Sequence, residues 1–160
     1  IAAINGAAVG IGATMTCAMD IRLVSTKAKV GFVFNKIGIT PEACSSWFLP
    51  RVVGLSTALE WCYTAEILDS DTLVQAGFAK AEHEPDDLLP AARALAMEFI
   101  QGSSKVSNAV LRHMMWRMLG ASDPIDAHWV DTAGINALAT SPDAKEGINA
   151  FLEKRKPDFP

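Results

Sequence analysis

The chain has 160 residues, half of them hydrophobic, and a formal net charge of −4 at pH 7. This length and composition suffice for one sizeable hydrophobic core. The acidic balance gives no reason to expect nucleic acid or an anionic membrane surface as a partner. The three cysteines have unrelated spacings, with no CxxC pair and no Cys/His cluster. Neither a metal site nor a disulfide framework is therefore predicted, and a reducing, intracellular setting fits best.

The first 19 residues carry no charged side chain, so a membrane helix has to be weighed. Three glycines, Asn5 and two threonines interrupt them, which favours a buried strand, a tight turn and a buried helix instead. Because Ile1 lies inside what reads as a core strand, we expect the chain to be the C-terminal portion of a longer protein.

The predicted elements of the first half alternate between strands and helices. In order, they are a strand over 1–4, a turn over 6–10, a helix over 12–19, strands over 21–25 and 29–34, and helices over 45–53 and 57–63, the last capped by Ser56. Asp69 then opens a short helix that Gly77 stops, and residues 78–81 are predicted to form one more strand.

From residue 83 onwards the pattern is helical. Leu88, Ala92, Leu95 and Phe99 recur at helical spacing in a helix that Pro85 begins. Three further helices are predicted to start at Ser104, at Asp123-Pro124 and at Ser141-Pro142, where a capping residue precedes the helix. The last of them is predicted to bury Ile148, Phe151 and Leu152. The order of elements predicts an α/β layer with a helical extension.

Small residues fill positions 5–13, which lead into the first predicted helix with the sequence Asn-Gly-Ala-Ala-Val-Gly-Ile-Gly-Ala. The start of a helix carries unpaired N–H groups and partial positive charge, which suits an anion or a developing oxyanion. Glycines that merely pack beneath a strand–helix turn are the alternative, and spacing alone leaves it open. A dinucleotide-binding fingerprint is disfavoured, because it needs a further glycine where Met15 stands.

Glu42 is one of only two acidic residues before position 60, and its sequence neighbours Ile37, Ile39, Trp47 and Phe48 are apolar. Apolar surroundings favour proton uptake by a carboxylate, which suits a general base that works near neutrality. The alternative is a carboxylate that contacts the amides of the turn over 43–46 at a helix start. At the other end of the chain, the cations at 154–156 either complement a helix C-terminus or contact a phosphate.

Several segments, in order along the whole chain, carry a family resemblance: Ile4–Gly12, Met19–Leu23, Lys29–Gly31, Gly38–Ser46, Leu68–Phe78 and Phe151–Pro157. Together they resemble the crotonase (enoyl-CoA hydratase/isomerase) superfamily. Residues 41–46, Pro-Glu-Ala-Cys-Ser-Ser, look most like its Δ3,Δ2-enoyl-CoA isomerase branch.

The resemblance implies an α/β fold with the C-terminal part of a crotonase-like ββα spiral over residues 1–82. A C-terminal helical extension that serves trimerisation is implied over residues 83–160. It further implies an acyl-CoA thioester as substrate, no cofactor or metal, and a homotrimer or hexamer that binds neither nucleic acid nor membrane. A cytoplasmic role in fatty acid and lipid metabolism would follow.

For the site, the resemblance implies two backbone amides that polarise the thioester carbonyl and stabilise an enolate, an oxyanion hole. The second amide falls on Ile11, whereas the first comes from a motif upstream of this chain. Glu42 is the implied catalytic base, and Lys154 and Lys156 are implied contacts of a CoA phosphate. The residues implied to bind substrate are Gly10, Gly12, Thr14, Phe34 and Trp47.

The reaction depends on how many carboxylates the site holds. Hydratases of the family position water with two glutamates, and those positions are Thr14 and Phe34 here, neither of which transfers a proton at neutral pH. One carboxylate suffices to move a proton between C2 and C4, so the residues favour the isomerase. An enoyl-CoA hydratase and a catalytically silent crotonase-like scaffold are the alternatives.

Overall fold

The computed structural model describes residues 1–159. The chain divides into two compact units, of which the first comprises Ile1–Leu95 and the second begins at Ala96. The strands all belong to the first unit: β1 (Ala2–Ile4), β2 (Ala7–Val9), β3 (Arg22–Ser25), β4 (Lys29–Gly31), β5 (Ile67–Leu68) and β6 (Ala81–His83).

The helices follow and interleave with these strands. They are α1 (Ile11–Cys17), α2 (Ser45–Val53), α3 (Leu55–Thr64), α4 (Ser70–Gln75), α5 (Pro85–Ile100), α6 (Lys105–Met118), α7 (Pro124–Leu138) and α8 (Pro142–Leu152). A short 3-10 helix, Phe34–Ile37, lies between β4 and α2. Among residues 1–159, none of the helices combines the length and the apolar character that a transmembrane span requires.

Successive strands of the first unit join two sheets alternately. One sheet has the order β1-β3-β6 and is parallel throughout, with Ala3 opposite Leu23 and Leu23 opposite Ala81. The other has the order β2-β4-β5, in which β2 and β4 are parallel and β5 is antiparallel. Each of the first two ββα turns therefore adds one strand to each sheet. The predicted α/β class, with ββα turns followed by helices, is confirmed.

Neighbouring residues of β3 pack on opposite faces of the sheet, as the two-residue period of a strand requires. Val24 belongs to the main core, whereas Leu23 packs with Leu88 and Ala92 of α5. In the main core the Phe32 ring lies 6.1 Å from those of both Trp61 and Phe78, centroid to centroid. This aromatic cluster joins the segment after β4 to α3 and to the segment before β6.

Several predicted boundaries are wrong in detail. The predicted turn over 6–10 contains the short strand β2, and the predicted strand over 29–34 ends at Gly31. Gly54, rather than Ser56, occupies the N-cap of α3. The strand expected over 78–81 begins only at Ala81, because Phe78 is buried in the core and strand pairing starts opposite Leu23.

In the second unit, the predicted helix starts are confirmed. The side chains of Ser104, Asp123 and Ser141 each accept a backbone N–H of the helix that follows. The predicted burial in α8 is wrong, since Ile148, Phe151 and Leu152 are 59%, 82% and 71% exposed.

The physical reason is the lack of a covering layer within this unit. Helical spacing places these side chains along α8, but burial needs a second surface against that face. Neither α6 nor α7 has a buried residue, and Ala150 is the buried residue of α8.

Candidate active site

The glycine-rich stretch forms a sharp junction between β2 and α1. Gly10 N–H donates to the Gly31 carbonyl at 3.0 Å, and the Gly10 carbonyl accepts the N–H groups of Ala13 and Thr14. Gly10 has φ 61° and ψ −123°, a conformation that a residue with a Cβ rarely adopts. This turn carries the chain directly from the strand ladder into the helix.

The turn leaves an unpaired amide at the start of α1. Within residues 1–159, the Ile11 N–H has no hydrogen-bond acceptor, as is usual for the first residues of a helix. The Ile11 residue is 57% exposed in this chain. Gly12 follows on the same turn, so the three residues Gly10, Ile11 and Gly12 that the sequence proposed for the site lie together.

Arg22 holds the other end of α1. Its guanidinium is buried and donates to the carbonyls of Thr16 at 3.1 Å, Met19 at 2.5 Å and Phe78 at 2.6 Å. A cation suits the carbonyl end of a helix. Burial lowers the pKa of Arg22, and Cys17 and Asp20 oppose that shift. This one side chain therefore joins the C-terminal end of α1 to the segment that precedes β6.

Glu42 contacts α1 through its carboxylate. The Thr14 hydroxyl donates to Oε1 of Glu42 at 2.7 Å, and Thr14 is fully buried. Glu42 itself is exposed in this chain, as are Ile37 and Ile39, so the apolar surroundings predicted for the carboxylate are wrong within residues 1–159. The carboxylate nonetheless points at α1, the helix that begins at Ile11, as a catalytic role for Glu42 beside that amide requires.

The main chain around Glu42 is fixed separately. Its carbonyl accepts both the N–H of Ser45 at 3.1 Å and the Ser45 hydroxyl at 2.7 Å. Ala43 and Cys44 both adopt the left-handed conformation, with φ 55° and 57°. Non-glycine residues adopt it at a cost of about 1–2 kcal/mol each. The alternative in which the carboxylate caps the turn over 43–46 is not observed, because the Ser45 N–H donates to the carbonyl of Glu42 and the carboxylate accepts from Thr14 instead.

Phe34 and Trp47 lie on either side of Glu42 in the sequence. Phe34 begins the 3-10 helix and is 7% exposed, so it fills space in the first unit rather than facing solvent. Trp47 is half-buried on the first turn of α2, where the Arg51 guanidinium lies 4.0 Å from the centre of its ring. Their proposed contacts with a substrate stay predictions.

Lys154 and Lys156 belong to the second unit and are exposed. Lys154 follows the C-cap residue of α8, Glu153, and adopts a left-handed conformation with φ 55°. The cation between the two lysines is engaged, since Arg155 donates to both carboxylate oxygens of Glu146 at 2.6 and 2.9 Å and to Glu153 at 2.6 Å. These contacts lower the pKa of Glu146 to about 2, with the Arg155 hydrogen bonds as the largest cause.

Two of the cysteines are unsuited to nucleophilic chemistry. Burial raises the pKa of the Cys17 thiol to about 12, and burial also raises the pKa of Cys62. Both therefore stay protonated near neutrality, whereas the thiolate is the reactive form. Within residues 1–159, no group of three or more His, Cys, Asp or Glu side chains could hold a metal ion.

Comparisons with known proteins point to one family. The family model for enoyl-CoA hydratase/isomerase matches residues 1–160. Over 160 residues the chain is 36% identical to the enoyl-CoA hydratase ACTT3 of Alternaria alternata, a match that covers 99% of the chain and 53% of that relative. It is 29% identical to the 1,2-epoxyphenylacetyl-CoA isomerase of Escherichia coli, covering 99% of the chain and 60% of that protein.

A solved structure gives the same result. The enoyl-CoA hydratase/isomerase from Cupriavidus metallidurans superposes with a TM-score of 0.88 at 25% identity, covering 95% of this chain and 57% of that one. The protein therefore belongs to the enoyl-CoA hydratase/isomerase family, and the predicted membership of the crotonase superfamily is confirmed. The chain spans a little over half the length of the relatives it matches.

Two elements of the site escaped the sequence analysis. No role is predicted for Ser45 from the sequence, but its N–H and its hydroxyl both donate to the carbonyl of Glu42. Arg22 falls within the predicted strand over 21–25 without a role of its own, although a cation among the apolar residues of a buried strand needs partners. That lone charge was the one signal in the sequence that could have identified it.

Proposed function

We propose that the full-length protein acts on acyl-CoA thioesters as a Δ3,Δ2-enoyl-CoA isomerase. One observation supports this choice above the others: the carboxylate of Glu42 is held against α1 by Thr14. The family resemblance implies that hydratases have glutamates at two positions, which are Thr14 and Phe34 in this chain. A hydroxyl and a phenyl ring do not activate water at neutral pH. One carboxylate can both remove and return a proton.

In the proposed reaction, Glu42 accepts a proton from C2 of a 3-enoyl-CoA. The electron pair of the broken C–H bond delocalises into the thioester, which gives a dienolate with its negative charge on the carbonyl oxygen. The Ile11 N–H donates to that oxygen, as an oxyanion-hole donor does. Glu42 then returns the proton to C4, and the double bond lies between C2 and C3. The proposed reaction moves one proton from C2 to C4 and needs neither a water molecule nor a cofactor.

The remaining substrate contacts are proposed from position. Gly10 and Gly12 let the thioester approach the main chain, and the half-buried Trp47 offers aromatic surface to an acyl chain. A substrate contact of Phe34, which is buried in this chain, is proposed from the family resemblance alone. Lys154 and Lys156, rather than Arg155, are proposed to contact a phosphate of CoA. The Arg155 guanidinium between them is already bonded to Glu146 and Glu153. A homotrimer or hexamer in the cytoplasm completes the proposal.

An enoyl-CoA hydratase is the second candidate, because most of the curated relatives carry hydratase names. The two can be separated by giving the full-length protein a 3-enoyl-CoA and a 2-enoyl-CoA in parallel. We expect conversion of the 3-enoyl thioester to be the faster reaction. Faster hydration of the 2-enoyl thioester would replace the isomerase by the hydratase, and no turnover of either would favour a catalytically silent scaffold.

The role of Glu42 has a test of its own. Glu42→Gln keeps the size and a hydrogen-bond acceptor for Thr14 but removes the base, so we expect turnover to fall by about 10²- to 10⁴-fold. Glu60→Gln is the matched control, because Glu60 is also exposed but lies on α3. Steady-state kinetics that leave Glu42→Gln as active as Glu60→Gln would remove Glu42 from the mechanism.

A further inference from the structure

The Thr14 hydroxyl has three possible hydrogen-bond acceptors, and the shortest of these contacts points to its role. Within the helix, the carbonyls of Gly10 and Ile11 lie 3.3 and 3.4 Å from Oγ1, which is the usual local bond of a helical threonine. Oε1 of Glu42, 28 residues away in sequence, lies at 2.7 Å. A hydroxyl has a single proton, and a short bond to a charged acceptor is the strongest of the three.

Glu42 is thus held at both ends. Ser45, which is itself buried, pins the carbonyl of Glu42, and Thr14 holds one oxygen of the carboxylate. Within residues 1–159, Oε1 is the carboxylate oxygen with a hydrogen-bond partner. The second oxygen, Oε2, is therefore the one left to exchange a proton.

We propose that Thr14 is a positioning residue: it fixes Oε1 of Glu42 so that Oε2 transfers the proton. Thr14 lies one helical turn after Ile11, and residues three apart share a face of a helix. The positions of the base and of the oxyanion donor are thereby both fixed by α1, although Glu42 itself lies in a loop. This inference rests on the proposed function for its catalytic meaning, and it replaces the direct substrate contact that the family resemblance suggests for Thr14.

The kinetic test uses two substitutions at one position of the full-length protein. Thr14→Val keeps the shape but removes the hydroxyl, and Thr14→Ser keeps the hydroxyl. We expect Thr14→Val to lower kcat by about 10- to 100-fold with KM changed less than twofold, since a misplaced catalytic group costs rate rather than binding. Thr14→Ser should recover most of kcat. Equal losses in both variants, or a change confined to KM, would overturn the proposal.

Thr16→Val provides the control. Thr16 lies on the same helix and is also buried, but its hydroxyl donates to the Ala13 carbonyl at 2.7 Å, a local bond. Its loss should affect the stability of α1 without affecting kcat. A kcat for Thr16→Val as low as that of Thr14→Val would show that any buried hydroxyl of α1 matters, and the specific role of Thr14 would fall.

A second measurement is independent of turnover. Thr14→Val should lower the Tm of the full-length protein more when residue 42 is Glu than in a Glu42→Ala background. An identical Tm shift in both backgrounds would mean that the hydroxyl serves Gly10 or Ile11, and the proposal would be overturned. If the parent protein turns over neither enoyl thioester, the proposed function fails, while this cycle still decides whether Thr14 holds Glu42.

Discussion

The two compact units of the chain use their apolar residues in opposite ways. In the first unit, Val24, Leu73 and Phe78 are almost fully buried around the two sheets. In the second unit, α6 and α7 have no buried residue, and large side chains such as Trp129 and Phe151 are 63% and 82% exposed. Apolar side chains thus form a closed core in the first unit and stay on open faces in the second.

The difference shows what an amphipathic pattern determines. Caps and periodicity are enough to set where α6, α7 and α8 begin, because those signals act within one helix. Burial requires a second surface, which the sheets supply for the first unit. Extended apolar surface of the kind that the second unit exposes marks interaction faces in soluble proteins. The homotrimer or hexamer would cover such faces, and it stays a prediction.

The largest effect is expected when a leucine is replaced by alanine in each of the two units and the free energies of unfolding are compared. Leu73→Ala removes a fully buried side chain and should lower the free energy of unfolding by about 2–5 kcal/mol. Leu152→Ala removes a side chain that is 71% exposed, and should change that free energy by less than about 0.5 kcal/mol. Urea unfolding of the full-length protein measures both.

One outcome would contradict the expected difference between the two units. If Leu152→Ala costs as much as Leu73→Ala, then Leu152 is covered in the full-length protein, and its exposure is a property of this chain alone. Repeating the measurement at several protein concentrations would then separate a subunit contact, which depends on concentration, from a contact within one chain.

A smaller effect, with opposite signs in the two units, is expected from two glycines. Gly10→Ala places a Cβ on a backbone with φ 61° and should destabilise by about 1–3 kcal/mol. Gly134→Ala lies inside α7, where the new Cβ meets only the flexible Met114 side chain, at 3.2 Å from its sulfur. The better helix propensity of alanine should stabilise by up to about 1 kcal/mol. Thermal unfolding gives both signs, and a stabilising Gly10→Ala would contradict the geometry of the turn.

The smallest effect concerns pH and is confined to the second unit. The pKa of Glu146 is lowered to about 2 by Arg155, from a reference value of 4.5. A depressed carboxyl pKa contributes stability above the reference value, and this contribution is lost as the pH falls towards 2. Because the pair is exposed, the contribution is small. The Tm of Glu146→Gln should lie below that of the parent at pH 6, and the gap should close by pH 2. A gap that is constant with pH would rule out this ion pair as its cause.

The sequence predicted most of the architecture because its signals were local. Ser104, Asp123 and Ser141 each precede a helix with the side chain that caps it. The alternation of strands and helices in the first half could be inferred from short apolar runs separated by glycines, whereas the ββα spiral was implied by the family resemblance. Strand β2 was missed because three residues, Ala-Ala-Val between glycines, carry little strand propensity of their own. Its pairing with β4 comes from tertiary context.

The site was only partly predictable for the same reason. Glu42 was proposed both from its sequence neighbours and from the family resemblance, whereas Ile11 was proposed from the resemblance alone. The contact of Thr14 with Glu42 joins residues that are 28 positions apart in the sequence, so no local pattern predicts it. The exposure of Ile37, Ile39 and Glu42 was likewise unpredictable, because apolar neighbours in sequence need not be neighbours in space.

Arg22 also sets an order of events during synthesis. Its carbonyl partners on Thr16 and Met19 are translated before it, but Phe78 follows 56 residues later. A nascent chain that ends before β6 therefore leaves the guanidinium without one acceptor and β3 without a neighbour on one edge. The C-terminal anchor of α1 is complete only once residues 78–83 have left the ribosome, so α1 is fixed in place late rather than as it emerges.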